Sequence, residues 1–158
     1  MQNLNVLVVG GGIGGLSASI ALRRAGHTVT LIERDPDWSV YGVGIIQQSN
    51  VIRAMSDLGV LDSFLSAAYG FDAVEIFAPD GAKVARIPTP RLIEGKPSNV
   101  GIGRPALQKV LGECARGLGA EIRLGLTADG IEQDGDGVDV RFSNGQAERF
   151  DLVIGADG

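Results

Sequence analysis

The chain has 158 residues, enough for one domain with a substantial core, and a formal net charge of −5 that argues against general affinity for nucleic acid or anionic membranes. No apolar run approaches the ~18–20 residues of a membrane span. The N-terminus lacks a basic region with a cleavage pattern, and the only cysteine, Cys114, has no partner for an internal disulfide. The expected location is the cytoplasm.

Residues 4–9 are apolar and rich in β-branched side chains, which predicts a buried strand. The run Gly10-Gly11-Gly12-Ile13-Gly14-Gly15 follows. Leu16, Ile20 and Leu22, with Ala18, Ala21 and Ala25, then make an apolar face at helical spacing that ends at Gly26. Residues 29–32 predict a second strand, with Glu33 at its C-terminal end. This is a βαβ unit with G-x-G-x-x-G at the strand-to-helix turn. Gly10 allows the tight turn, Gly12 lets a pyrophosphate approach the backbone, and Gly15 lets helix and strand pack closely. An anion there meets free N–H groups and the positive end of the helix dipole. Glu33 lies eighteen residues after Gly15, where a carboxylate accepts hydrogen bonds from ribose hydroxyls and repels a 2′-phosphate. The expected ligand is therefore NAD-like or FAD rather than NADP. A glycine turn that merely packs a helix on a strand is the weaker alternative once strand, helix, second strand and acid fall in order.

Pro36 stops the second strand and opens a loop that runs to Gly42-Val43-Gly44. Those paired glycines suit either a backbone that comes close to something or an ordinary flexible loop. Ile52, Met55 and Leu58 predict an amphipathic helix over about 48–58, closed by Gly59, with Arg53 and Asp57 on its solvated face. Residues 61–68 predict a further short helix. From Phe71 the pattern changes to period two: residues 73–77 and 83–87 flank Pro79-Asp80-Gly81 and predict a hairpin. A proline-rich loop leads to residues 99–103, expected as a third strand of that small sheet. Arg104-Pro105 starts a helix with an apolar stripe of Leu107, Val110, Leu111, Cys114 and Leu118, and Cys114 on that stripe reads as core. Residues 121–124 follow as a strand, so the helix is a crossover to a third parallel strand. Three β segments over 127–150 are separated by Asp134-Gly135-Asp136-Gly137 and Ser143-Asn144-Gly145. The first of these turns lacks the remaining ligands of a calcium loop and reads as a hairpin turn. No metal site is expected. The chain closes on an apolar strand running into Gly155-Ala156-Asp157-Gly158.

In this order the motifs resemble the N-terminal part of the class A flavoprotein monooxygenases, the para-hydroxybenzoate hydroxylase type. Gly10-x-Gly12-x-x-Gly15 with Glu33-Arg34 resembles the family's FAD motif. Gly155-Ala156-Asp157-Gly158 resembles its second motif, whose Asp-Gly pair is linked to FAD and NAD(P)H binding. Gly42-Val43-Gly44-Ile45 matches the stretch that passes near the flavin. Arg104 with Leu107 and Leu111 resembles the Arg-x-x-Leu-x-x-x-Leu segment, whose arginine contacts FAD. The resemblance implies an α/β fold: a Rossmann-like FAD-binding parallel sheet with a β-meander crossover at about 127–150, over residues 1–70 and 103–158. Residues 71–102 would begin a second, substrate-domain sheet, and the fold would be incomplete.

The resemblance also implies FAD as cofactor, with pyrophosphate along Gly12-Ile13-Gly14-Gly15 and adenosine at Glu33. Gly10, Gly44, Asp157 and Gly158 would line it, and Arg104 would meet phosphate or the ribityl chain. Gln108, one turn on, could face the ribityl chain, and Arg34 either lies along the adenine or is solvated. The parent enzyme would use NAD(P)H and O2 to hydroxylate a small aromatic substrate. No catalytic residue is assigned, and His27, the only histidine, is expected to be exposed. The family's third motif has no counterpart here, so a fragment is expected, with self-association or a complementary C-terminal chain as partner. Alternatives left open are an FAD- or ADP-binding module without turnover, and an NAD-linked dehydrogenase or other flavin oxidoreductase.

Overall fold

A computed structural model describes residues 3–158. In chain order the elements are β1 (Asn5–Val9), α1 (Ile13–Arg24), β2 (Thr28–Glu33), β3 (Gly44–Gln48), α2 (Ser49–Asp57), α3 (Leu61–Ser66), β4 (Tyr69–Phe71) and β5 (Ala73–Phe77). Then come β6 (Lys83–Pro88), β7 (Asn99–Gly103), α4 (Arg104–Gly117), β8 (Glu121–Leu124), β9 (Ala128–Gln133), β10 (Val138–Phe142), β11 (Ala147–Phe150) and β12 (Leu152–Gly155). They form two compact units, one of residues up to Tyr41 with Gln108–Gly158 and the other of Gly42–Leu107.

The first unit holds a four-stranded sheet in the order β12-β1-β2-β8. All its pairings are parallel: Val6 stands opposite Val29 on one side and Leu152 on the other, and Leu31 stands opposite Ile122. A parallel sheet covered on both faces needs apolar residues at consecutive positions, which is why Val6, Leu7 and Val8 are all fully buried. Alternation divides them between two layers. Leu7 and Ile32 join Leu126, Val138, Val140, Phe142 and Phe150, so the antiparallel meander β11-β10-β9 covers one face. Val8 faces α1, where Gly15 lies against it. The buried side of α1 is Gly15, Leu16, Ser19 and Ile20. Ala21 and Ala25, expected on the apolar face, are exposed. Ser19 belongs inside because its hydroxyl donates to the Gly15 carbonyl at 2.8 Å. The meander carries the chain from β8 to β12, and the Asp134 carboxylate fastens its first turn by accepting the amides of Asp136 (2.8 Å) and Gly137 (3.0 Å).

His27 is half-buried rather than exposed. Its Nδ1 accepts the Leu4 amide at 3.2 Å, so the ring ties the start of β1 to the turn before β2. Cys114 is also half-buried, and desolvation pushes its thiol upward, away from the reactive thiolate.

In the second unit β7 does not join the hairpin. It pairs antiparallel with β3 and β4 in a three-stranded sheet, while β5 and β6 form a separate ribbon. The short strands β3 and β4 lie in stretches where the sequence predicts no strand, between the loop ending at Gly44 and the helix from about 48, and between the helix over 61–68 and the hairpin. Gly44, Gly70, Gly101 and Gly103 sit within this sheet and leave almost no side-chain alternation to reveal it. Asp72 fixes the junction: Arg91 donates to both its oxygens (3.0 and 2.5 Å) and the Ser98 amide donates to one (2.9 Å). The Arg91 guanidinium, then the Ser98 amide, hold the Asp72 carboxyl well below the usual carboxylate range.

Candidate nucleotide-binding site

The turn between β1 and α1 is built by close approach. Gly10 has φ +108°, and a Cβ placed on it would lie 2.4 Å from the carbonyl oxygen of Ala156. A Cβ on Gly15 would lie 1.9 Å from the Gly10 oxygen. Side chains at either position would push the turn off β12 or off α1. Over Gly12 and Gly14, by contrast, a Cβ would meet nothing within 4 Å. Gly12 is the N-cap of α1, in extended conformation, with no side chain capping it and no acidic residue in the first turn. The head of this twelve-residue helix therefore presents amide donors and a positive dipole end that, among the described residues, no capping side chain satisfies. Ile13 is half-buried in that first turn.

Glu33 ends β2 beside this turn. Its Oε2 accepts the Gly11 amide at 2.8 Å and its Oε1 accepts the Asp35 amide at 2.9 Å. Each carboxylate oxygen keeps a second lone pair for a further donor. A cavity of about 290 Å³ opens here, bounded by Gly10, Glu33, Arg34, Thr127, Asp157 and Gly158. Five of the residues singled out in the sequence thus meet around one space. The closing Gly-Ala-Asp-Gly is held there because the Ala156 amide donates to the Val9 carbonyl at 2.8 Å.

Gln108 lies on α4 in the same unit, outside the lining of that cavity. It is only 9% exposed; its Nε2 sits 3.5 Å from the Trp38 carbonyl, and its Oε1 is buried without a partner. Gly44 and Arg104 belong to the second unit. Gly44 pairs with Gly103, and the exposed side chain of Arg104 runs beneath Gly42, whose Cβ would lie 3.0 Å from Arg104 Cδ. In this structure the close neighbour of Gly42 is therefore Arg104, and that of Gly44 is the Ile102 carbonyl oxygen, 3.4 Å from where its Cβ would be.

Three participants, Gly11, Trp38 and Thr127, escaped the sequence. Gly11 would place a Cβ 2.7 Å from Trp38 Nε1, and that indole nitrogen donates to the Gly11 carbonyl at 2.8 Å. The available signal was the position of Gly11 inside the glycine run and the presence of the chain's single tryptophan in the adjoining loop. Thr127, on the cavity wall, carried no signal at all. Among the described residues no cluster of three or more His, Cys, Asp or Glu side chains is arranged to hold a metal ion, and no helix is long and apolar enough to cross a membrane.

Comparison with known proteins agrees with this geometry. Residues 3–158 match the family model described as FAD binding domain. The chain is 36% identical over 157 residues to the aurachin C monooxygenase/isomerase of Stigmatella aurantiaca, covering 98% of this chain and 40% of that protein. It is 38% identical over 161 residues to the 3-hydroxybenzoate 6-hydroxylase of Polaromonas naphthalenivorans, covering 99% of this chain and 40% of that protein. Among solved structures, the tetrameric form of 2-methyl-3-hydroxypyridine-5-carboxylic acid oxygenase superposes with a TM-score of 0.81 at 29% identity, over 100% of this chain and 40% of that one. CtdE in complex with FAD and a substrate superposes with a TM-score of 0.82 at 26% identity, over 99% of this chain and 38% of that one. The chain thus spans about two fifths of the length of its relatives. The family match sets aside the NAD-linked dehydrogenase among the alternatives. Matched over residues 3–158, the chain belongs to the FAD binding domain family.

Proposed function

We propose that this chain is the FAD-holding part of a monooxygenase that hydroxylates a small aromatic substrate at the expense of NAD(P)H and O2. The observation that carries the reading is the uncapped head of α1, open above Gly12 and Gly14, next to a carboxylate at the end of β2. It is supported by relatives named as a monooxygenase and a benzoate hydroxylase.

The residues present fit FAD. Gly12, Ile13, Gly14 and Gly15 would offer main-chain N–H groups to the diphosphate, with Gly10 keeping the turn tight enough to aim them. Glu33 would accept ribose hydroxyls on the lone pairs its amide partners leave free, and Arg34 would flank the adenine. The orphaned Gln108 Oε1 calls for a donor, and a ribityl hydroxyl would supply one. Asp157 and Gly158 would form the wall of the cavity. In the second unit, Arg104 and Gly44 are proposed FAD contacts on chemistry alone: an exposed guanidinium suits phosphate oxygens, and a glycine admits a ligand close to the backbone. When bound, FAD supplies the redox chemistry, taking electrons from NAD(P)H and activating O2. The chain's own part is to bind, orient and partly bury that group.

We assign residues 1–70 and 103–158 to the FAD-binding domain and 71–102 to the start of the substrate-domain sheet. For these 158 residues alone the reading is cofactor binding without turnover, since the relatives whose names carry an activity extend well beyond the matched part. A cytoplasmic location goes with it, because NAD(P)H is generated there. The outer edge of β12, where Leu152 is 41% exposed, is a surface on which a second copy or a complementary chain would pair.

The test is titration of the purified chain with FAD, followed by flavin absorption and calorimetry, with Glu33→Ala alongside. Saturable FAD binding that weakens about tenfold in Glu33→Ala is expected, the loss of charge-assisted hydrogen bonds to ribose. Absence of FAD binding in the unaltered chain refutes the reading, and unchanged affinity in Glu33→Ala refutes the ribose assignment.

A further inference from the structure

We propose that Trp38 is a positioning residue for diphosphate binding: its indole N–H holds the Gly11 carbonyl and thereby aims the Gly12 N–H outward at the bound anion. The inference rests on the reading of the glycine turn as the diphosphate site.

Both polar groups of Gly11 are held. Its amide donates to Glu33 Oε2 and its carbonyl accepts from Trp38 Nε1, each at 2.8 Å. In a planar trans peptide the C=O of one residue and the N–H of the next point in opposite directions. Holding the Gly11 carbonyl toward the indole therefore turns the Gly12 N–H to the other side. Gly12 itself has no neighbour within 4 Å of where its Cβ would be, so the adjoining backbone is open to an approaching ligand. Without the indole donor, rotation of the Gly11–Gly12 peptide would be opposed only by the glycine backbones, the softest in the chain.

The indole sits in a built socket. Gly112 on α4 leaves room for it, since a Cβ there would lie 3.2 Å from the ring. The Arg116 guanidinium lies 4.8 Å above the ring centroid, within cation–π range. The loop carrying Trp38 is cinched by Asp35, whose carboxylate accepts the amides of Ser39 and Asp37, each at 2.9 Å; these two bonds hold the Asp35 carboxyl below its ordinary value. Trp38 adopts φ +49°, the only non-glycine residue among those described with positive φ. A bulky side chain in the left-handed region is strained, and such strain persists where the surroundings over-determine it. Apolar packing alone requires neither a strained backbone nor a nitrogen aimed at one carbonyl.

The experiment separates aiming from packing with two ligands. ADP carries the diphosphate and adenosine does not. The full chain is titrated calorimetrically with each, as the unaltered protein, as Trp38→Phe, and as Trp38→benzothienylalanine, which keeps the shape of the indole and replaces its N–H by sulfur. ADP binding about tenfold weaker in both variants, with adenosine binding unchanged within about twofold, is the expected result. Unchanged ADP affinity overturns the proposal, as does an equal loss for ADP and adenosine, which marks the loop as merely structural. If Trp38→Phe does not fold by circular dichroism, the isosteric variant decides. Gly12→Ala and Glu33→Ala serve as separate controls: if neither weakens ADP binding, the diphosphate site itself is misplaced and the role of Trp38 falls with it.

Discussion

Replacing Gly10 and Gly12 separately by alanine dissects the glycine turn, because the structure assigns the two positions opposite tasks. At Gly10 the methyl would meet the Ala156 carbonyl oxygen at 2.4 Å, on a backbone with φ +108° that L-residues avoid. The strained dihedral costs about 1–3 kcal/mol, and forcing backbone apart to admit a methyl costs about as much again. The combined loss, roughly 4 kcal/mol, is a large share of the ~5–15 kcal/mol that stabilises a typical domain. With a urea slope of about 1–3 kcal/mol per molar, the unfolding midpoint of Gly10→Ala should fall by roughly 2 M. At Gly12 the methyl meets nothing within 4 Å and φ is −76°, so the only cost is a poorer N-cap, about 1 kcal/mol or less. That methyl nevertheless occupies the approach of a diphosphate, and FAD affinity should drop at least about tenfold, some 1.4 kcal/mol. The assay is urea unfolding of both variants by circular dichroism, with FAD titration of Gly12→Ala. A Gly10→Ala protein within about 0.5 kcal/mol of the unaltered one refutes the packing account. A Gly12→Ala protein of unchanged FAD affinity refutes the diphosphate placement.

Two further perturbations probe the frame around the site. Phe142 is 1% exposed and meets Phe150 edge to face at 6.4 Å, so Phe142→Ala should cost about 3–5 kcal/mol in chemical unfolding; less than about 1 kcal/mol would mean that the meander does not cover the sheet. Asp134 is held at about 2, below its ordinary 3.8, by Arg149 first and then by the Asp136 amide. Its lowered folded-state value means that its stabilising effect is complete above about pH 4 and is lost as pH falls through about 2. The difference in melting temperature between the unaltered protein and Asp134→Asn should accordingly shrink over that window; a difference that stays constant from pH 5 to about 2 contradicts the assignment.

The βαβ unit was legible because every local rule pointed the same way there. A short β-branched apolar run ahead of a glycine turn suits a strand buried on both faces, Gly10 and Gly15 mark close backbone approach, and Glu33 falls at the strand end. The meander was legible for a similar reason, its turns being written in Asp, Asn and Gly. What stayed hidden was pairing decided at a distance. β3 and β4 find β7 across most of the second unit, through glycines that show no inside or outside. Proximity in sequence instead suggested that β7 joins the hairpin. On α1 hydropathy alone favours Ala21 and Ala25, which lie on the exposed side. The real buried side is set by how closely the helix must lie on Val8, which admits Gly15 and a serine that satisfies its own hydroxyl. Trp38 stayed hidden because its partner is a main-chain carbonyl, and no pattern of side chains announces that.

The β1–β12 ladder bears on the order in which the molecule assembles. β1, α1 and β2 are neighbours in sequence and can meet early. The β12 side of the sheet closes over 146 residues, from Asn5 to Asp151, where the Asn5 amide reaches the Asp151 carboxylate at 2.6 Å. Closing a loop of that length makes this a late and slow event. Gly10 is shaped by contact with Ala156, just past β12, so the glycine turn reaches its final form only when that last pairing is made. Nucleotide bound to the finished turn would therefore act as a latch on the slowest step, raising the population of the closed sheet by mass action.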